Sequence, residues 1–150
     1  MDLRSFSKRM LSISRNVPLE ANRIKKQVAR AVNAAVVNGT PVDTGKARSN
    51  WIATLGSPAD IVLMPYFPTS HGGIGETANA SAAIEHAELV IDGVVPGQTI
   101  NFTNNVDYIA LLNTGWSNQA PAMFVEHAID VGIATIQNVH VNITSERIMP

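Results

Sequence analysis

A chain of 150 residues, 45% hydrophobic and 15% charged, has the size and composition of one ordinary globular domain, able to bury about two thirds of its unfolded surface. It has no cysteine, which excludes disulfides, thiolate catalysis and zinc sites that need sulfur, and no apolar run reaches the roughly 18 residues of a membrane helix. The net charge of −1 conceals a division: residues 1–50 carry ten Lys or Arg against three Asp or Glu, a balance of +7, and residues 51–150 carry Arg147 against nine acids, a balance of −8.

Two halves of opposite sign either join one copy of the chain to the next or mix on one folded surface and cancel there. Composition leaves both open. Arg4, Lys8, Arg9 and Arg15 interrupt the N-terminal apolar residues, unlike the apolar core of a secretory signal. The basic, serine-rich, acid-poor start has the look of a mitochondrial transit peptide, but the residues past 17 continue as a sequence that needs a partner helix.

Leu3, Phe6, Met10, Ile13 and Val17 are spaced 3, 4, 3 and 4, which places them on one stripe of an amphipathic helix over residues 1–17. Pro18 predicts a break, with a second helix over 19–37 and a left-handed stop at Asn38 and Gly39. In that second helix Ile24, Val28, Ala31 and Ala35 share one face, and Arg23, Lys26 and Arg30 lie opposite. The three cations are either a solvated face or a surface for an anionic partner, DNA phosphate or an acidic neighbouring subunit. Residues 51–55 and 61–64 read as short strands. The stretch 65–80, with Pro65, Pro68, Gly72, Gly73 and Gly75, reads as a long loop that orders against a partner.

From residue 80, Ile84, Ala87 and Ile91 recur at helical spacing beside an acidic stripe of Glu85, Glu88 and Asp92, ending near Gly93. Residues 98–103 alternate as a half-buried strand. A helical turn over 106–113 stops at Gly115, Pro121 opens a last helix containing Phe124, Ala128 and Val131, and Val139, Val141 and Ile143 alternate as a closing strand. The sum is an α+β domain: N-terminal amphipathic helices packed with a small antiparallel sheet, and two further helices on one face of it.

Catalytic constellations are weak. Asp43, Thr44 and Gly45 form the DTG triplet of dimeric aspartic proteases, in which two carboxylates share a proton. Pro41 closely precedes it and Lys46 follows, and a cation opposes proton sharing. The structural reading has Asp43 capping the next turn and Gly45 taking a backbone angle that other residues avoid. His71, His86, His127 and His140 suggest a metal, but Glu85 with His86 and Glu126 with His127 are adjacent pairs, about 100° apart on a helix and unable to face one ion. No serine sits in a nucleophile elbow. The expectation is a protein without catalytic residues, metal or cofactor.

Two segments carry a resemblance. TPVDTGKARSNW (40–51) is similar to the P-x-D-T-G-x-x-R-x-x-W stretch of the neck or tail-completion proteins of tailed bacteriophages, relatives of the Z-type minor tail protein of phage lambda. NNVDYIALLNTGWSNQAPAMFVEHAI (104–129) resembles that family's Y-A-x-x-L-x-x-G-W-S-x-Q-A-P-x-G-F-V stretch, in the same order and at a similar separation. The chain departs from it at Ile109, between Tyr108 and Ala110, and at Met123, where a glycine is common.

The resemblance implies a single neck or tail-completion domain over 1–150: a non-enzymatic virion component, assembled in the bacterial host cytoplasm as a homo-oligomeric ring at the head–tail junction. Its partners would be the portal or adaptor on one side and tail-tube or terminator proteins on the other, with non-specific contact to duplex DNA in the channel and none to a membrane. Arg23, Lys26 and Arg30 would face DNA or an acidic neighbour. Asp43 and Gly45 would shape the turn after the basic helix, and Tyr108, Gly115, Trp116, Gln119 and Pro121 the turn into the last helix. Trp51 and Tyr108 fit core packing, and Trp116, in a polar loop, fits an interface. The rivals are another tail protein, such as a terminator or baseplate component, and, from a different class, the dimeric protease using Asp43.

Overall fold

The computed structural model describes residues 2–68 and 75–137. The strand expected over 139–144 and the glycines Gly72 and Gly73 lie outside the described residues. The chain is an α+β domain in which helix dominates. In order it forms α1 (Leu3–Gly39), α2 (Lys46–Ser49), β1 (Ile52–Leu55), α3 (Gly75–Asp92), β2 (Ile100–Thr103), α4 (Ile109–Asn113) and α5 (Phe124–Ile136).

α1 is one helix of 37 residues that runs through Pro18, so the expected break there is corrected. Proline inside a helix removes one hydrogen bond and crowds the carbonyl four residues back, at a cost of about 3 kcal/mol. Here Ser14 and Pro18 are both exposed, so water can reach that carbonyl. The helix opens on Asp2, whose carboxylate accepts the Ser5 N–H at 2.7 Å; that bond holds the carboxyl below its ordinary range. The left-handed stop is also corrected. Gly39 lies inside α1 without a positive φ, and Thr40, extended at φ −72°, is the C-cap. A Cβ on Gly39 would stand 3.4 Å from that of Phe124, so its smallness serves the approach of α5.

The buried stripe of α1 is Asn22, Ala29, Asn33 and Val36, joined by Val37, and it lies between the two faces that spacing of the larger residues suggests. Asn22 donates to the Val94 carbonyl at 3.0 Å, whereas the Asn33 amide is 1% exposed and makes no hydrogen bond among the described residues. α3 buries Ala80, Ala83, Ala87 and Ile91, a stripe of small side chains that brings its backbone close to its neighbours. It begins at Gly75, which shortens the expected loop 65–80 from its C-terminal side.

β1 and β2 pair antiparallel, Ile52 opposite Thr103 and Leu55 opposite Ile100. Two strands alone are marginal; these are held by Ala53 packing with Ala87, Ile91 and Ala29. Residues 61–64, expected as a strand, are irregular. Asn50 substitutes for a strand partner there: its Oδ1 accepts the Leu63 N–H and its Nδ2 donates to the Leu63 carbonyl.

The two later helices do not share one face of the sheet. α3 packs on β1, and α5 packs along α1. Phe124 meets Gly39, and Gly132 meets Val28 and Val32, so α5 runs antiparallel to the C-terminal half of α1. α5 starts at Phe124, three residues after Pro121.

Candidate functional site

The first motif turns the chain off the end of α1. Thr40 Oγ1 donates to the Val36 carbonyl at 2.6 Å and accepts the Trp51 indole N–H at 2.8 Å. Trp51 is thus core with its one polar atom satisfied, as its spacing from the helix end requires. Arg48 spans the same end: its guanidinium donates to the carbonyls of Thr40 at 2.8 Å and Asn38 at 3.3 Å, and to that of Glu76 at 3.4 Å. Half-burial pulls Arg48 below its ordinary pKa, with the Glu76 charge acting the other way. A cation over the last carbonyls of a helix offsets their partial negative charge.

Gly45, at φ +80°, holds the N-cap position of α2, with Asp43 exposed two residues earlier. A Cβ on Gly45 would overlap the Asn79 amide. Asn79 is fully buried and fully used: Oδ1 accepts from Ser49 Oγ and the Phe67 N–H, and Nδ2 donates to the carbonyls of Phe67 and Gly75. One side chain so fixes α2, the irregular stretch before residue 69 and the start of α3.

The second motif folds as a closed loop between Tyr108 and Phe124. Gly115 ends α4 at φ +94°, and a Cβ there would lie 3.1 Å from that of Ala122. Met123 takes the left-handed conformation, φ 62° and ψ 35°, at the N-cap of α5 and supplies no cap of its own. Asn113 supplies it from across the loop. Its Oδ1 accepts the Val125 N–H at 3.0 Å, its carbonyl accepts the Met123 N–H at 2.7 Å, and its Nδ2 donates to Glu126 at 2.9 Å. That last bond holds the Glu126 carboxyl below its ordinary range.

The motifs, far apart in sequence, meet in space. Gln119 Oε1 accepts the Val42 N–H at 3.0 Å, and Val42, Asp43, Lys46, Tyr108, Leu112 and Gln119 wall a cavity of about 480 Å³. Burial, helped by Asp107 and Asp43, holds the Tyr108 hydroxyl above its ordinary pKa. A second depression of about 470 Å³, on the other side of Gln119, has Arg48, Glu76 and Pro121 on its walls. Trp116 stands at the surface, 79% exposed.

Arg23, Lys26 and Arg30 lie elsewhere, on α1 beside the end of α3, and each meets groups of its own chain. Arg30 binds Glu88 at 2.7 Å and Asp92, which raise its pKa, Glu88 foremost. Lys26 Nζ donates to the Asp92 carbonyl at 2.7 Å, and Arg23 pairs with Glu20. At this face the two charge halves mix within one molecule. Among the described residues no three of His, Asp and Glu converge on a point that would hold a metal; His86 stacks on Tyr66, ring centroids 5.0 Å apart.

Asn79, Asn113 and Arg48 carry much of this geometry without having been singled out in sequence. Arg48 stood inside the motif; for Asn79 and Asn113 the only signal is an asparagine next to an element end, which is common in loops of every kind. No protein-family model, curated protein or solved structure matches the chain.

Proposed function

We propose that this chain is a structural protein of a tailed-bacteriophage virion that forms a homo-oligomeric ring at the head–tail junction and acts by binding rather than turnover. The observation that carries the reading is the meeting of two motif segments at the Gln119–Val42 bond, 77 residues apart. The backbone adds support at three points. Gly45 and Gly115 both have positive φ, and Met123, where the resembling family commonly has glycine, has it too; each is a position where glycine is the residue of least strain.

Within this reading the pairing of Arg30 with Glu88 and Asp92 weighs against either anionic partner at Arg30 itself, because phosphate and a neighbour's carboxylate alike would have to displace carboxylates already in place. Electron microscopy and sedimentation of the purified full chain test the proposal. Annular particles are the expected result, unaffected by Asp43→Asn. A chain that stays monomeric at high concentration sinks it. So does a dimer that cleaves peptides and loses that activity on Asp43→Asn.

A further inference from the structure

We propose that the C-terminal half of α3, the turn at 93–98 and the β1–β2 pair act together as a lever that swings off α1 along Asn22, Ala29 and Asn33, pivoting on the apolar cluster at Val36 and Val37, while the rest of the molecule stays folded. The inference is independent of the virion reading and rests on a polar seam inside the fold.

The core comes in two clusters, and Asn33 stands between them on α1. One turn after it, Val36 and Val37 join Trp51, Ala80, Ala83, Phe124 and Ala128. One turn before it, Ala29 joins Ala53, Ala87 and Ile91, with Val90, Ile100 and Phe102 packed around them. To this second cluster α1 contributes a single alanine, which has little apolar surface to bury. The hydrogen bonds that tie the same stretch of α1 to the lever come from four polar side chains. Asn22 Nδ2 donates to the Val94 carbonyl at 3.0 Å, Lys25 Nζ to that of Gln98 at 2.6 Å and Lys26 Nζ to that of Asp92 at 2.7 Å, while Arg30 binds the carboxylates of Glu88 and Asp92.

Closing this seam carries a penalty that opening relieves. The Asn33 side chain is 1% exposed, and neither its Nδ2 nor its Oδ1 has a partner among the described residues; Asn22 Oδ1 is buried without one as well. A buried amide that makes no hydrogen bond forfeits those it made to water. The links broken on opening are weak by comparison. Those of Lys25 and Lys26 lie at the surface, the Arg30 pairs are partly solvated, and ion pairs of that kind contribute little. A segment held by few buried apolar contacts opens at a free energy well below that of global unfolding.

The opposite end of α3 is fixed. Asn79 ties its first turns to Ser49 of α2 and to Phe67, and Arg48 joins the Glu76 carbonyl to those that close α1. On its other side α1 is packed against α5, where Gly132 meets Val28 and Val32. α1 and α5 therefore move as one body, and α3, anchored at its start and loosely held at its end, is the moving arm of a hinge.

The chain has no cysteine, so one introduced thiol reports alone. Ala29→Cys places it on α1 beneath the lever, Ala87→Cys on the lever, and Ala128→Cys in the first cluster; all three positions are buried, and a buried thiol is inert until it is exposed. Circular dichroism checks that each full-length variant is folded, and labelling by a maleimide then follows the population of the open form. The Ala29→Cys chain should label more than about tenfold faster than the Ala128→Cys chain, at a rate that low urea barely changes, whereas labelling of Ala128→Cys should climb with urea as global unfolding does. Adding Asn33→Leu to Ala29→Cys should slow its labelling by about tenfold or more, because the closed seam no longer holds an unpaired amide. Ala87→Cys gives the same reading from the lever and stands in for Ala29→Cys if that chain does not fold. Labelling at positions 29 and 87 no faster than at 128 overturns the proposal. So does Asn33→Leu that leaves labelling unchanged or speeds it, which would show the amide to be bonded in the closed seam.

Discussion

At the scale of single residues, backbone angle explains more of the motif loop than side-chain chemistry does. Met123 pays for its place with φ 62°, a conformation that costs an L-residue about 1–2 kcal/mol, and its side chain is more than half exposed, so it recovers little by packing. Asn113 fixes the turn whatever stands at 123, because it bonds the Met123 N–H through its carbonyl and the Val125 N–H through its side chain. Met123→Gly should therefore stabilise the chain by about 0.5–1 kcal/mol, the relief of strain exceeding the extra entropy glycine loses on folding. The midpoint of urea unfolding reads this directly. A lower midpoint would mean that the Met123 side chain has packing that its exposure does not show.

At the scale of elements, the seam between α1 and α5 is set by absent side chains. A Cβ on Gly132 would overlap Val32 and stand 3.3 Å from Val28, and β-branched valine in a helix has little rotamer freedom with which to yield. Gly132→Ala gains about 1 kcal/mol of helix propensity but overpacks the seam by more, so a net loss of about 1–2 kcal/mol is expected. Val32→Ala in the same chain should recover most of it, a coupling that a double-mutant cycle in urea measures. The same seam shows what could be read in advance. Amphipathic spacing located α1, α3 and α5, and alternation located β1 and β2. It did not locate the true buried stripe of α1, because two of its four members are asparagines and a third is alanine. Pro18 misled for a related reason: its cost is local, and an exposed helix can bear it. Of the site, the motif glycines were legible, since turn chemistry is written in residue type, and Gln119 was marked only by the family resemblance. The Asn79 and Asn113 networks were not, because their partners are backbone groups that only the fold brings near.

At the scale of the molecule, the charge division of the sequence survives folding in part. Arg30 and Arg23 find carboxylates at home, whereas Arg4, Lys8, Arg9 and Arg15 lie on the exposed N-terminal turns of α1 with no carboxylate partner among the described residues. Stability and association should then respond differently to salt. The internal pairs are exposed, and such pairs contribute little to folding, while the core rests on apolar contacts such as those of Val36, Val37 and Phe124, which screening does not touch. Between 0.1 and 1 M NaCl the screening length falls from about 10 Å to about 3 Å. The unfolding midpoint of the chain at a fixed low concentration should stay nearly constant across that range, and the constant for self-association into the proposed ring should fall by about tenfold or more. Constant association would make the contacts between copies apolar and give the exposed cations Arg4, Lys8, Arg9 and Arg15 no part in them. A collapse of the chain's own stability would place the decisive ion pairs inside the fold, where the described candidates are Arg30 with Glu88 and Asp92 and Arg23 with Glu20.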